Sequence, residues 1–185
     1  MNRPAHVADP RKRHTRGDLL SAFFSLALSR RYHDIRVADV LAVSGVGRST
    51  FYEHFRNKDA LLSASLDGPF RILAGMVEGD AGTLRVQGVL EHFLQNRALA
   101  RSLFEGAASR VVRETLVAHV ESCLDREPGR LRIPARLAAH SLADGIFSPI
   151  AAWLSGEANC DPSDLAIALR DAAMASVRAL RIAER

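Results

Sequence analysis

Long apolar runs are missing from this 185-residue chain. No run reaches the roughly 18 residues that a bilayer-spanning helix needs, although 48% of the residues are apolar. The first residues carry charge without a following apolar stretch and cleavage site, so no secretory leader is expected and a cytoplasmic location follows. Cysteine is scarce: Cys123 and Cys160 stand far apart, with no CxxC pairing, and read as two reduced thiols. Twelve glycines and seven prolines are too few for a low-complexity or disordered chain. Catalytic patterns are absent as well. There is no HExxH, GxSxG or phosphate-binding glycine loop, and Gly45-Val46-Gly47 lacks the third glycine and the preceding strand of a dinucleotide site. His92, His119 and His140 fall on different expected helices, so they and Cys123 show no metal-ligand spacing. No catalytic residue, metal or cofactor is assigned, and the chain does not read as an enzyme.

What is present is helical periodicity. No segment alternates with a period of two, and apolar residues recur at three- and four-residue spacing along the chain, which predicts an all-α fold of about nine helices. Residues 1–14 read as a flexible basic arm, able to lie along phosphates or a minor groove through Arg11 to Arg13, or simply a tail. The first helix is expected from Thr15, as cap, to about Arg30, with Leu19, Leu20, Phe23, Phe24, Ala27 and Leu28 as its apolar stripe. A helix opens at the Asn57 cap and kinks or restarts at Gly68-Pro69, and Thr83 caps the next. Two long, Ala-rich helices close the chain. One starts at Pro134; the other follows Asp161 as cap and Pro162 in the first position.

Within this pattern, residues 36–55 spell helix, tight turn, helix. Val37, Val40 and Leu41 recur at helical spacing, Ser44-Gly45-Val46-Gly47 interrupts them, and a second helix runs from Arg48 to about Phe55. Gly45 stands where a positive φ ends a helix, and Val46 is the one apolar residue of the turn. Phe51 and Phe55 lie four apart on one face, with Arg48, Ser49, Thr50, Tyr52 and His54 elsewhere. This is an apolar back and a hydrogen-bonding front of the kind a major-groove reader needs. Charge coincides with the motif. Residues 1–62 hold eleven Lys/Arg against six Asp/Glu, whereas the remainder holds fourteen against fifteen. A solvated basic face would account for the charge alone, but charge and motif together point to a polyanion partner.

The stretch from Leu19 to Leu62, with its VxDV…GVxRxTFYxHFxxKxxLL pattern, resembles the DNA-binding domain of the TetR/AcrR family of bacterial transcriptional regulators. The resemblance implies a three-helix DNA-binding domain over 15–62, with its motif at 36–55. It implies a helical effector-binding and dimerisation domain over 63–185. Carried over by position, it implies that Arg36, Val37, Gly47, Arg48, Ser49, Thr50, Tyr52, His54 and Lys58 meet double-stranded DNA. Tyr52, His54 and Lys58 would contact phosphates. Two departures stand out: the family usually has a hydroxyl residue where Arg36 and Gly47 stand. The implied activity is sequence-specific regulation, repression first, at an inverted-repeat operator. The implied form is a homodimer joined through Ala138, Leu142, Ile146, Ile150 and Trp153 of the penultimate helix and Leu165, Leu169, Ala172 and Val177 of the last. These stripes could instead complete an intramolecular core. An apolar or amphipathic small-molecule effector would sit among Phe70, Met76, Phe93, Phe104, Val117 and Val120, residues that also suit ordinary core. Control by a protein partner or by abundance, with no effector, is the alternative.

Overall fold

The computed structural model describes residues 10–79, 81–126 and 129–182. Nine α-helices occur among them: α1 (Pro10–Ser29), α2 (Val37–Ser44), α3 (Arg48–His54), α4 (Lys58–Ala74), α5 (Thr83–Gln95), α6 (Arg97–Glu105), α7 (Ser109–Arg126), α8 (Ala135–Ser155) and α9 (Pro162–Leu180). Short 3-10 turns follow α1 at Tyr32–Asp34 and α4 at Gly75–Val77. The only extended pairing among the described residues is an isolated antiparallel bridge between Leu131 and Arg181. The all-α expectation therefore holds. The chain divides into two compact units at Ser65/Leu66, a boundary that falls within α4.

In the first unit, α1 packs on α2 through Leu19, Ala22, Phe23, Leu26 and Ala27, all buried. The expected stripe was wider than the one the protein buries: Phe24 and Leu28 are 41% and 54% exposed. Leu26 and Ala22 take their places, because the buried face centres near Leu19 and Phe23, roughly 130–170° around the helix from Phe24 and Leu28. Helix α1 also starts at Pro10, ahead of the Thr15 cap expected from sequence. The part of the expected flexible arm from residue 10 onward is therefore helical, and residues 1–9 lie outside the described residues. Proline at the first helical position supplies the start, since its missing N–H has no intrahelical acceptor to lose there.

Helix α4 is continuous through Gly68-Pro69, so the expected restart does not occur. Pro69 removes one hydrogen bond, but Leu66, Phe70 and Leu73 are buried on both sides of it, and tertiary packing outweighs the local defect. Asn57 caps this helix as expected, its Oδ1 accepting the Ala60 N–H at 2.8 Å. Lys58–Val77 is long and apolar enough by composition to cross a membrane, at a mean hydropathy of 1.2, although no uninterrupted apolar run is present. Half of that stretch is buried inside the protein, where Leu61, Leu62, Phe70 and Leu73 serve as core.

The second unit is a helical bundle in which α8 lies against α6, α7 and α9, and α9 also packs on α5. Phe70, Phe93, Phe104 and Phe147 form a continuous aromatic cluster: Phe104 stacks on Phe147 at 4.9 Å and meets Phe93 and Phe70 edge-on at 5.7 and 6.4 Å. Gly156 ends α8 with φ 87°, and the Arg97 guanidinium donates to the Leu154 carbonyl at 2.8 Å, capping that end. The indole N–H of Trp153 donates to the Cys160 carbonyl at 3.0 Å. At the start of α5, Gly82 is the capping residue and not Thr83, whose hydroxyl instead meets Arg170 at 2.7 Å.

Candidate nucleic-acid interface

The motif is built from three local devices. Helix α2 begins after Arg36, whose backbone N–H donates to Asp39 Oδ2 at 2.7 Å; Arg36 has no side-chain acceptor with which to return the bond. Arg30 pairs with the other Asp39 oxygen at 3.5 Å, tying the end of α1 to this cap. Helix α2 ends at Gly45, with φ 69°, and the Val46 N–H donates to Ser44 Oγ at 3.3 Å, closing the turn. Helix α3 then starts from Gly47 in an extended conformation, with no side-chain cap.

Helix α3 is held from behind and open in front. Phe51 is fully buried and Phe55 nearly so, their rings 5.9 Å apart. Arg48 and Ser49 are exposed, Thr50 and His54 half-buried, and Tyr52 is 50% exposed with its ring edge-on to Phe51 at 5.3 Å. Arg36 and Gly47 are exposed and Val37 half-buried. Eight of the nine residues expected to meet DNA thus lie on α3, its cap or the start of α2, with at least part of their surface open to solvent.

Lys58 is placed differently. Its ammonium donates to the carbonyls of Tyr32 (2.9 Å), Ile35 (3.0 Å) and His33 (3.4 Å), and sits 4.4 Å from the Tyr32 ring centroid. An ammonium has three donors, and all three point at the turn between α1 and α2. These bonds give Lys58 a positioning role in the turn between α1 and α2. The neighbouring Asp59 completes the clamp by accepting the Tyr32 hydroxyl. Sequence reasoning missed this Tyr32–Lys58–Asp59 group because its members are far apart in the chain and share no periodicity. It also missed the helical placement of Lys12 and Arg13, both exposed. Asp9-Pro10 repeats the cap-then-proline pattern of Asp161-Pro162 and was the available signal.

The residues expected to join two copies are placed elsewhere. Ala138, Leu142, Ile146, Ile150, Trp153, Leu165, Leu169 and Val177 are buried within the second unit, and of the nine only Ala172 is exposed. Apolarity selected the face that fills the subunit's own core. The faces left open carry Leu137, Ser141, Gly145 and Pro149 on α8 and Ile167, Ala168, Ala172, Ala175 and Ala179 on α9. The six residues expected to line an effector pocket are likewise buried, Phe70, Phe93 and Phe104 in direct ring contact.

Cys123 is buried beside Glu78 and Arg126, whose Nη2 lies 3.2 Å from its sulfur. Burial, with a smaller contribution from the Glu78 charge, pushes the thiol up to about 11, so it stays protonated near neutrality. Among the described residues no group of three or more His, Cys, Asp or Glu side chains is placed to hold a metal ion.

Fold and site together define an all-helical protein whose N-terminal unit presents a helix-turn-helix. Residues 19–65 match the model for bacterial regulatory proteins of the tetR family. A segment of 52 residues is 36% identical to the dhaKLM operon transcriptional activator DhaS of Lactococcus lactis; the match spans 28% of this chain and 28% of that relative's length. A TetR transcriptional regulator from Streptococcus agalactiae is 25% identical, with a TM-score of 0.54 over 88% of this chain and 95% of that one. The alkane-degradation-associated repressor AlkX from a Dietzia species shares the fold at 21% identity, with a TM-score of 0.53 over 89% and 96% of the two chains. Residues 19–65 are thus a DNA-binding segment of the tetR type, and the chain as a whole shares the fold of TetR transcriptional regulators.

Proposed function

We propose that two copies of this protein bind an inverted-repeat operator in cytoplasmic DNA and repress transcription there, with α3 of each copy in the major groove. The observation that carries this reading is the two-sided build of α3: Phe51 and Phe55 anchor it in the core while Arg48, Ser49 and Tyr52 remain open to a partner. One short reading helix spans only a few base pairs, and each discriminates by about 1–3 kcal/mol, so a second copy is needed for a unique site. A two-fold dimer places the half-sites about one helical turn, ~34 Å, apart. The open faces of α8 and α9 suit such a dimer, because their small side chains let helix axes approach closely. Release would come from an apolar or amphipathic small molecule that parts the Phe70–Phe93–Phe104 cluster.

Footprinting on DNA flanking the protein's own gene tests the reading. The dimer should protect a palindromic site, and Arg48→Ala should abolish protection with the fold intact. Unchanged protection by the variant removes α3 as the reading helix. A second reading, activation, is favoured by the 36% identical segment in the activator DhaS. Transcription from the protected promoter with and without the protein decides the sign. Control by a protein partner without an effector draws support from the direct contacts inside the aromatic cluster. Thermal-shift and DNA-release screens that find no responsive ligand class would favour it.

A further inference from the structure

We infer that a depression beside α9, lined by Gly79, Arg170, Asp171, Met174 and Arg178, binds a small two-ended acid, two carboxylates joined by a short apolar chain. Neither α3 nor the buried aromatic cluster takes part, so the site stands apart from the operator-binding reading. The depression measures about 350 Å³, within the range of small-molecule sites and near its lower end. One wall is a row of side chains on α9. Arg170, Met174 and Arg178 follow at four-residue spacing, so they share a side of the helix, with about 6 Å of axial rise between neighbours. That side lies roughly 130° around α9 from Ala168, Ala172, Ala175 and Ala179. The depression and the face proposed for a dimer are therefore different surfaces.

Gly79 supplies the opposite wall. At φ +73° and with no side chain it lets the backbone come close to Met174: a methyl there would stand 3.2 Å from both the thioether sulfur and its terminal carbon. The middle of the depression is thus apolar and polarizable, and its ends are cationic. Arg170 is fixed in place. Its Nη1 donates to the Thr83 hydroxyl at 2.7 Å, and its Nε and Nη2 donate to Asp171 Oδ1 at 3.3 and 3.1 Å. A guanidinium has five N–H donors, so these bonds leave two of them unused. Asp171 takes one edge of the fork and offsets part of its charge, which makes Arg178 the stronger anchor. Arg178 is exposed and makes no hydrogen bond or ion pair among the described residues. Held by Thr83 and Asp171, Arg170 cannot swing two helical turns to share a single anion with Arg178. Two acidic groups spaced by an apolar segment over Met174 satisfy all three side chains at once.

The test is isothermal titration calorimetry of the full chain, without DNA, using suberate, a linear medium-chain dicarboxylate. One suberate should bind per chain at low ionic strength. Its monomethyl ester, which keeps the length and loses one charge, should bind about ten- to a hundredfold more weakly, the loss expected for a hydrogen bond to a charged group. Arg178→Gln should weaken suberate by a similar factor with an unchanged melting temperature, because the side chain has no bond to lose. Arg178→Lys, which keeps the charge, should bind more tightly than Arg178→Gln. No suberate binding at millimolar concentration overturns the inference. Equal binding of the half-ester overturns the two-ended ligand, and unchanged affinity in Arg178→Gln overturns the site. Equal weakening in Arg178→Lys and Arg178→Gln overturns the charge reading in favour of packing. None of these outcomes bears on the reading role of α3.

Discussion

Replacing Lys58 with methionine separates the two roles open to this side chain. Methionine keeps most of the apolar stem and removes the ammonium. The carbonyls of Tyr32 and Ile35, part-buried acceptors at 2.9 and 3.0 Å, would lose a charged donor, while the more exposed His33 carbonyl would regain water. Hydrogen bonds to charged groups are worth roughly 1.5–3 kcal/mol each, and the cation over the Tyr32 ring adds about 0.5–1 kcal/mol. Water reaching a half-buried site recovers much of this, so a net loss of about 2–3 kcal/mol is expected. It should be concentrated in the first unit, because the clamp fixes the turn that delivers Arg36 and α2. Amide hydrogen exchange in the full chain reads the loss directly, as faster opening of α2 and α3. The slope of log K against log salt for DNA binding should stay as it was, since the ammonium is spent on carbonyls. Unaltered exchange combined with a slope smaller by about 0.9 per subunit would refute the reasoning and put Lys58 on a phosphate.

Phe51→Ala should cost about 3–5 kcal/mol, because a fully buried ring is removed, and should abolish DNA binding by unfolding the motif. Tyr52→Ala, at a half-exposed ring, should weaken DNA binding with little change in melting; circular dichroism and anisotropy together distinguish the two. Gly45→Ala meets no atom within 4 Å, so its penalty of about 1–2 kcal/mol comes from the φ of +69° alone and is readable by urea unfolding. Ala168→Glu and Ala172→Glu should dissociate the proposed dimer in light-scattering measurements while leaving the chain helical. For Cys123, the folded thiol holds its proton to about pH 11 while the unfolded one releases it near 9, so the folded state binds more protons between those values. That contribution to stability is complete below about pH 9 and is lost as pH rises toward 11, which denaturant titrations across that range would show.

The reading head was legible in the sequence because its constraints are local. Gly45 must adopt a positive φ, Phe51 and Phe55 must share a face, and Asn57 must cap α4; each depends on neighbours within four residues, and each is found as expected. The start of α1 was not legible: Thr15 was expected as its cap, and the basic run of residues 11–14 suggested an arm, whereas the helix begins at Pro10. Lys58 was not legible. Its partners lie 23 to 26 residues away, and no spacing rule connects an ammonium to the carbonyls of a turn.

Helices α8 and α9 show why the second unit resists such reading. Periodicity identifies a helix's most apolar side, and on α8 that side runs through Leu142, Ile146, Ile150 and Trp153, which the subunit keeps for itself. The face of a proposed partner must then be sought among what remains, and on α9 what remains is Ile167 with alanine at 168, 172, 175 and 179. Alanine carries little hydrophobic contrast, so its face is nearly silent in any periodicity, yet it is the residue that lets two helix axes come closest. A surface that associates through close approach is therefore least visible to the signal that finds a core. The same contrast explains the residues expected to line an effector pocket: Phe70, Phe93 and Phe104 were selected for being large and apolar, the property that makes them pack on one another. A ligand that binds among them must supply contacts at least equal to those rings' own, which directs the search toward flat, apolar molecules of aromatic size.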